Sequence, residues 1–170
     1  NDLLNLSSIE SGQLVLNLQP GNLRGLIEER VKLYTHLATE KNIHFNISFQ
    51  QTTAISFDTP RIGQVLDNLL TNAIKFSPVG STIGITLESG DGFVRVTVTD
   101  EGPSIKNEDL DQLFQPFNKI GSDSTEKGTG LGLAIAKKMV ALHGGTLTFK
   151  SSKNQGASFS FELPENSSFY

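Results

Sequence analysis

Residues 58–76, Asp-Thr-Pro-Arg-Ile-Gly-Gln-Val-Leu-Asp-Asn-Leu-Leu-Thr-Asn-Ala-Ile-Lys-Phe, constrain the fold more than any other stretch. Asp58 or Thr59 can cap a helix, and Pro60 suits its first turn, where a backbone N–H has no intrahelical acceptor. Ile62, Val65, Leu66, Leu69 and Ala73 then recur at helical spacing and make one apolar face that must be buried. Asn68, Asn72 and Lys75 stand four and three residues apart on another face, polar but hardly charged. Asn is a poor helix former because its side chain competes for backbone groups, so two in register suggest amides and an ammonium aimed at one shared partner. A solvated face with two ordinary asparagines fits the same pattern, and the stretch alone does not choose between them.

A chain of 170 residues, 36% apolar and 19% charged, suffices for one hydrophobic core and a small appendage. No apolar run approaches the ~20 residues of a membrane span. With 14 Lys and Arg against 18 Asp and Glu there is no broad basic surface to neutralise a phosphate backbone, which argues against a nucleic-acid partner. The absence of cysteine excludes disulfides, thiolate catalysis and Cys-based metal sites and fits a cytosolic setting, and three scattered histidines argue against zinc. The chain begins at Asn1 without a targeting segment and reads as a piece of something longer.

In chain order, residues 1–11 read as the end of a helix continuing upstream, with Gly12 as its stop. Residues 13–18 alternate like a strand, Pro20-Gly21 turns, and Asn22 can cap a helix to about Lys41 with Leu23, Leu26, Ile27, Val31, Tyr34 and Leu37 buried. Strands are expected over 43–49 and 54–57, and over 82–88 and 93–99 with a hairpin turn at Gly90-Asp91-Gly92. This half predicts helices on one side of an antiparallel sheet. Asn107 can cap a short helix ending at Phe117, polar residues 118–127 suit a mobile loop, and a helix is expected from about Gly130 to His143. Strands over 146–150 and 158–163 close the domain.

Gly128, Gly130 and Gly132, before and within the first turn of that last helix, let backbone N–H groups approach an anion, with the helix dipole behind them. The segment is neither a P-loop, since no Gly-Lys-Ser/Thr follows, nor a dinucleotide fingerprint, since a polar loop precedes it where a strand is needed. Asp100, at a strand end before Gly102, accepts hydrogen bonds only and so suits an exocyclic amine such as that of adenine. A turn-forming Asp is the more common role before Glu-Gly-Pro and is the better reading of this residue taken alone.

Taken together, Asn68-X3-Asn72-X2-Lys75-Phe76, Asp100-X-Gly102, Phe114-X2-Phe117 and Gly128-X-Gly130-X-Gly132, in that order, resemble the ATP-binding catalytic domain of sensor histidine kinases. That domain shares its superfamily with gyrase, heat-shock chaperone and mismatch-repair ATPases. The resemblance covers about residues 20–164. It implies an α+β two-layer sandwich of the Bergerat type, a mixed, mostly antiparallel sheet covered on one face by helices, with a flexible ATP lid. Residues 13–164 would form the catalytic domain and 165–170 a tail, while residues 1–12 resemble the end of the dimerisation and phosphoacceptor helix. By resemblance, Asn72 with Asn68 would hold Mg2+, Lys75 would contact the ATP phosphates, Phe76 would line the adenine pocket and Asp100 would bind the adenine amine beside Gly102. Lys119 falls where many members carry an Arg reaching the terminal phosphate. Gly128, Thr129, Gly130, Leu131 and Gly132 would surround the phosphates, residues 118–129 would form the lid, and Phe114 and Phe117 would help dock the phosphoacceptor helices.

The implied reaction moves the γ-phosphoryl of ATP to a histidine of the parent's phosphoacceptor domain and on to a response-regulator aspartate, with Asn68, Lys75 and Lys119 as the catalytic set. The parent would be a homodimer through helices upstream, and the domain cytoplasmic, including as the cytoplasmic part of a membrane-anchored sensor. His36 lies in a helix without the adjacent acidic residue that the family's acceptor has, His44 falls in a strand and His143 at a helix end, and each reads as structural. Ser104 stands where the family usually has a second glycine; a positive φ there would cost roughly 1–2 kcal/mol. The alternative reading is therefore a degenerate nucleotide-binding or scaffolding module without phosphotransfer.

Overall fold

The computed structural model describes residues 2–118, 130–152 and 156–165. In chain order the elements are α1 (Asp2–Glu10), β1 (Gln19–Gly21), α2 (Leu23–Glu40), β2 (His44–Phe49), β3 (Ile55–Phe57), α3 (Thr59–Phe76), β4 (Thr82–Gly90), β5 (Phe93–Asp100), a 3-10 helix (Asn107–Gln112), α4 (Gly132–Leu142), β6 (Thr146–Ser152) and β7 (Gly156–Pro164). A five-stranded sheet runs β2-β4-β5-β7-β6, and β1 pairs separately with β3. This is the expected two-layer α+β sandwich with a mixed, mostly antiparallel sheet. The first half is not all antiparallel, however: β2 and β4 run parallel. A helix, α3, intervenes between them, and a crossover through a helix returns the chain in the same direction.

Strand alternation decides which face is covered. Ile83, Ile85 and Leu87 of β4, Val94, Val96 and Val98 of β5, and Phe161 and Leu163 of β7 are essentially buried in the common core with Leu66, Leu69, Ile135 and Met139 of the helices. The intervening residues face outward. There the Thr97 and Ser160 hydroxyls meet at 2.8 Å, those of Thr99 and Ser158 at 3.0 Å, and Arg95 lies 2.6 Å from Glu162.

Both long helices start on the side chains that the sequence marks. Asn22 Oδ1 accepts from the Gly25 N–H at 3.0 Å, and Asp58 Oδ1 from the Arg61 N–H at 3.2 Å, each satisfying a donor that has no intrahelical partner. Other expectations are corrected. Residues 13–18 form no strand, while Pro20 and Gly21 are extended in β1 rather than a turn. Gly21 is needed there because a Cβ would lie 2.7 Å from the Phe57 ring. Leu37 is 44% exposed, since the buried stripe of α2 passes instead to Ala38. Asn107 lies inside the 3-10 helix instead of capping it, and that helix stops at Gln112.

One buried polar node ties the helical layer together. The Asp58 N–H donates to His143 Nε2 at 3.1 Å, so the other ring nitrogen carries the proton and donates to the Met139 carbonyl at 2.7 Å. Asp58 Oδ2 also accepts from the Asn17 N–H at 2.9 Å. The node joins the start of α3, the end of α4 and the segment before β1. Burial holds the His143 pKa below the ordinary 6.5, against the opposing pull of the Met139 carbonyl and the Asp58 charge. A depressed folded-state pKa adds stability that is full above 6.5 and lost as pH falls towards the folded value. Thermal melting followed from pH 7.5 to 5 should therefore show His143→Gln less stable than wild type at the upper end, with the gap narrowing as pH falls.

Candidate functional site

The apolar face of α3 is sealed: Ile62, Val65, Leu66, Leu69 and Leu70 have no exposed surface. Asn68, Asn72 and Lys75 on the other face are half-buried rather than solvated. The polar face is thus recessed under other chain, which favours the shared-partner reading over an ordinary solvated surface.

Two contacts define the two ends of this face. Near the middle of α3, Asn68 Nδ2 donates to the Gly132 carbonyl at 2.9 Å, and Gly132 approaches so closely that a Cβ would lie 3.3 Å from Asn68 Oδ1. The bond uses the amide nitrogen and leaves Oδ1 as an acceptor. At the end of α3, the Phe76 carbonyl meets Gly102, where a Cβ would lie 2.8 Å from it and 2.8 Å from Asp100 Oδ1. Only a residue without a side chain fits between them. The eight residue-to-residue steps from Asn68 to Phe76 separate these contacts by about 12 Å along the helix. The Lys75 ammonium lies 5.2 Å from the centre of the Phe76 ring, a cation–π distance.

Asp100 closes β5 with its side chain 5% exposed. Its Oδ1 accepts from the Gly102 N–H at 2.8 Å. Burial raises its pKa above the usual carboxylate value, and the Gly102 and Ala157 N–H groups partly offset this. An acceptor-only carboxyl recessed at a strand end, with glycine beside it, is suited to a flat ligand bearing an N–H. Ser104 is not among the described residues with positive φ, which apart from glycines are Asn42 and Phe117. The penalty attached to the missing glycine does not arise.

The glycine segment divides. Gly130 has φ +73°, and its carbonyl accepts from the Phe117 N–H at 3.0 Å, with Phe117 itself at φ +64°. Leu131 is 2% exposed and packs in the core, so only its backbone can face a ligand. Helix α4 starts at Gly132, two residues later than expected, and no side chain among the described residues caps it, whereas α2 and α3 are both capped. The first turn of an α-helix has backbone donors without intrahelical acceptors, the kind of group that suits an anion. Lys119, Gly128 and Thr129 lie outside the described residues. Phe114 and Phe117 are separated in role: Phe114 packs edge-on against Phe159 at 6.3 Å, while Phe117 is 65% exposed.

Beside this face, Asp67 pairs with Arg30 at 3.3 Å. Burial, followed by the Asp67 charge and hydrogen bond, pushes the Tyr34 phenol up to about 12. Gly63 makes room, since a Cβ there would meet Arg30 Nη2 at 2.6 Å. The sequence reading missed this cluster and missed Lys41, whose ammonium reaches three carbonyls at the end of α3. A lone Lys at a helix end carries no spacing signal by which it could have been found. Among the described residues no cluster of three or more His, Cys, Asp or Glu could hold a metal, and no helix is long and apolar enough to cross a membrane.

Comparison with known proteins agrees with this geometry. The model of the histidine kinase-, DNA gyrase B- and HSP90-like ATPase family matches residues 57–167, and the chain belongs to that family. Within it the chain is homologous to the catalytic domains of two-component sensor histidine kinases. The non-motile and phage-resistance protein of Caulobacter vibrioides is 37% identical over 171 residues, covering 96% of this chain and 20% of its own length. Sensor histidine kinase WalK of Bacillus subtilis is 34% identical over 172 residues, covering 96% of this chain and 28% of its own length. Among solved structures, full-length ShkA in complex with AMPPNP superposes with a TM-score of 0.87 at 31% identity, over 96% of this chain and 34% of that one. The catalytic domain of histidine kinase ThkA gives 0.79 at 34% identity, over 88% of this chain and 97% of that one. This chain spans between 20% and 28% of the length of the two relatives compared by sequence.

The closeness of Gly102 to fixed atoms makes a direct test. Gly102→Ala should push the Phe76 carbonyl and the Asp100 carboxylate apart at a cost of roughly 1–3 kcal/mol, read as a lower denaturation midpoint with shifted amide resonances at Phe76 and Asp100.

Proposed function

We propose that this chain binds Mg-ATP on the recessed face of α3 and transfers the γ-phosphoryl group to a histidine of a phosphoacceptor domain, for relay to a response-regulator aspartate. The observation that carries the reading is the buried, acceptor-only Asp100 held beside a glycine that admits no side chain, at one end of a helix face presenting two amides and an ammonium. ShkA, similar over almost the whole chain, is known in complex with AMPPNP.

In this reading Asp100 accepts a hydrogen bond from the adenine amine, and Gly102 keeps the backbone out of the plane of the base. Phe76 lines the base pocket and supports Lys75, which directs its charge to the phosphates. The start of α4, with Gly130 and Gly132, donates backbone N–H groups to phosphate oxygens, joined by Gly128, Thr129 and Lys119. Asn72 and Asn68 would hold Mg2+; amide oxygens are hard ligands of the kind it takes, and Asn68 Oδ1 remains an acceptor after its nitrogen bonds Gly132. Bound there, the ion would neutralise charge on the phosphates. The protein's own task is positioning, which supplies most of the catalysis in phosphoryl transfer.

The same proposal takes α1 as the end of the phosphoacceptor helix. Leu6 of α1 is buried against the domain and Glu10 pairs with Lys138 of α4 at 2.9 Å, while Leu3 and Leu4 are more than half exposed, as expected of a helix with a further partner. The parent would dimerise through the helices before it, in the cytoplasm, where ATP is available, with no nucleic acid involved.

Calorimetry with Mg-ATP should give saturable binding. Asp100→Asn, which turns an acceptor towards a donor, should weaken it at least about tenfold. Absence of heat with the unaltered chain would favour a degenerate module instead. Incubation with radiolabelled ATP should leave the chain unlabelled and label a supplied phosphoacceptor domain; Asn72→Ala should abolish that labelling. Steady ATP turnover with no acceptor present would point to a hydrolytic member of the family.

A further inference from the structure

We infer that Lys41 is a positioning residue for the nucleotide: from the end of α2 it clamps the C-terminal turn of α3 that carries Lys75 and Phe76. Its Nζ lies 2.8 Å from the Ile74 carbonyl, 3.1 Å from that of Lys75 and 2.7 Å from that of Ser77. An α-helix leaves its last carbonyls without intrahelical donors and with partial negative charge gathered on them. A lysine ammonium has three N–H bonds, and here each has its own acceptor, so the group is used to capacity. Lys41 is half-buried, and its backbone is fixed as well. Its N–H bonds the Ala38 carbonyl at 3.1 Å as the cap of α2, and its carbonyl accepts from the Gly80 N–H at 2.9 Å.

The consequence reaches the site through two covalently adjacent residues. Holding the carbonyls of 74 and 75 fixes the peptide planes on both sides of Lys75, the second of which leads into Phe76, and holding that of 77 fixes the chain just beyond. The Phe76 carbonyl in turn abuts Gly102, so a displaced α3 end also disturbs the Asp100 loop. Lys41 touches no ligand in this account and acts only through these neighbours. The inference rests on the reading that Lys75, Phe76 and Asp100 contact ATP.

The test titrates Mg-ATP into the unaltered chain, Lys41→Met, Lys41→Arg and Asn22→Ala. The last removes the cap at the opposite end of α2, away from the clamp, and serves as a control for general destabilisation. Lys41→Met is expected to weaken ATP binding roughly tenfold. Lys41→Arg, whose planar fork cannot converge on three carbonyls as an ammonium does, should fall between it and wild type. Asn22→Ala should lower the melting temperature while keeping wild-type affinity. Amide resonances of Lys75, Phe76 and Gly102 should shift in both Lys41 variants and stay in place in Asn22→Ala. Should Lys41→Met not fold, Lys41→Arg carries the test by the same two readouts. Equal affinity in the wild type and the folded Lys41 variants, or an equal loss in Asn22→Ala, overturns the inference and leaves the function intact. No binding by the wild type overturns both.

Discussion

Burial of the apolar face of α3 against the sheet is the interaction on which the site depends. Five large aliphatic side chains of that helix have no exposed surface. Each contributes about 1.5–3 kcal/mol relative to exposure, so rotation of the helix about its axis is far too costly to occur at equilibrium. A helix locked in rotation also locks the direction of its remaining faces. Asn68, Asn72 and Lys75 are therefore aimed without any dedicated scaffold; the core that stabilises the domain is the device that orients its polar groups.

Fixing the rotation of α3 does not fix its ends, and the structure supplies separate ties for those. Asp58 and His143 hold the start through buried hydrogen bonds, Gly132 meets the middle at Asn68, and Lys41 and Gly102 bound the end. Two of these ties are glycines admitting close approach of backbone, and three are polar residues whose side chains bond main-chain atoms. Main-chain partners suit this purpose because their positions follow from secondary structure and vary little, so precision at the site derives from helices and strands rather than from long side chains.

The α3 stretch illustrates how far local reasoning reaches. Its cap, its apolar face and its recurrent amides follow from period and propensity, and the observed helix keeps those bounds from Thr59 to Phe76. The pairing of Asp100 with Gly102 was legible as a motif, because a carboxylate at a strand end before glycine is a short-range pattern. Leu37 and residues 13–18 show where such reasoning stops: each has the right period, yet the helix is covered at Ala38 and not at Leu37, and no described strand pairs with the alternating segment. Periodicity states which face is apolar, not whether another element arrives to bury it.

Local order in the chain thus determined the elements, the amide face and the family to which the pattern belongs, since these depend on interactions among residues close in sequence or on motifs in fixed order. Tertiary structure alone decided that β2 and β4 run parallel, that Ser104 needs no positive φ, that His143 is a neutral buried tie and that Lys41 reaches across 33 residues to the Ile74 carbonyl at the end of α3. The physical reason is the same in each case. These features are contacts between segments brought together by core packing, and a contact of that kind leaves no period, propensity or spacing in the sequence on either side.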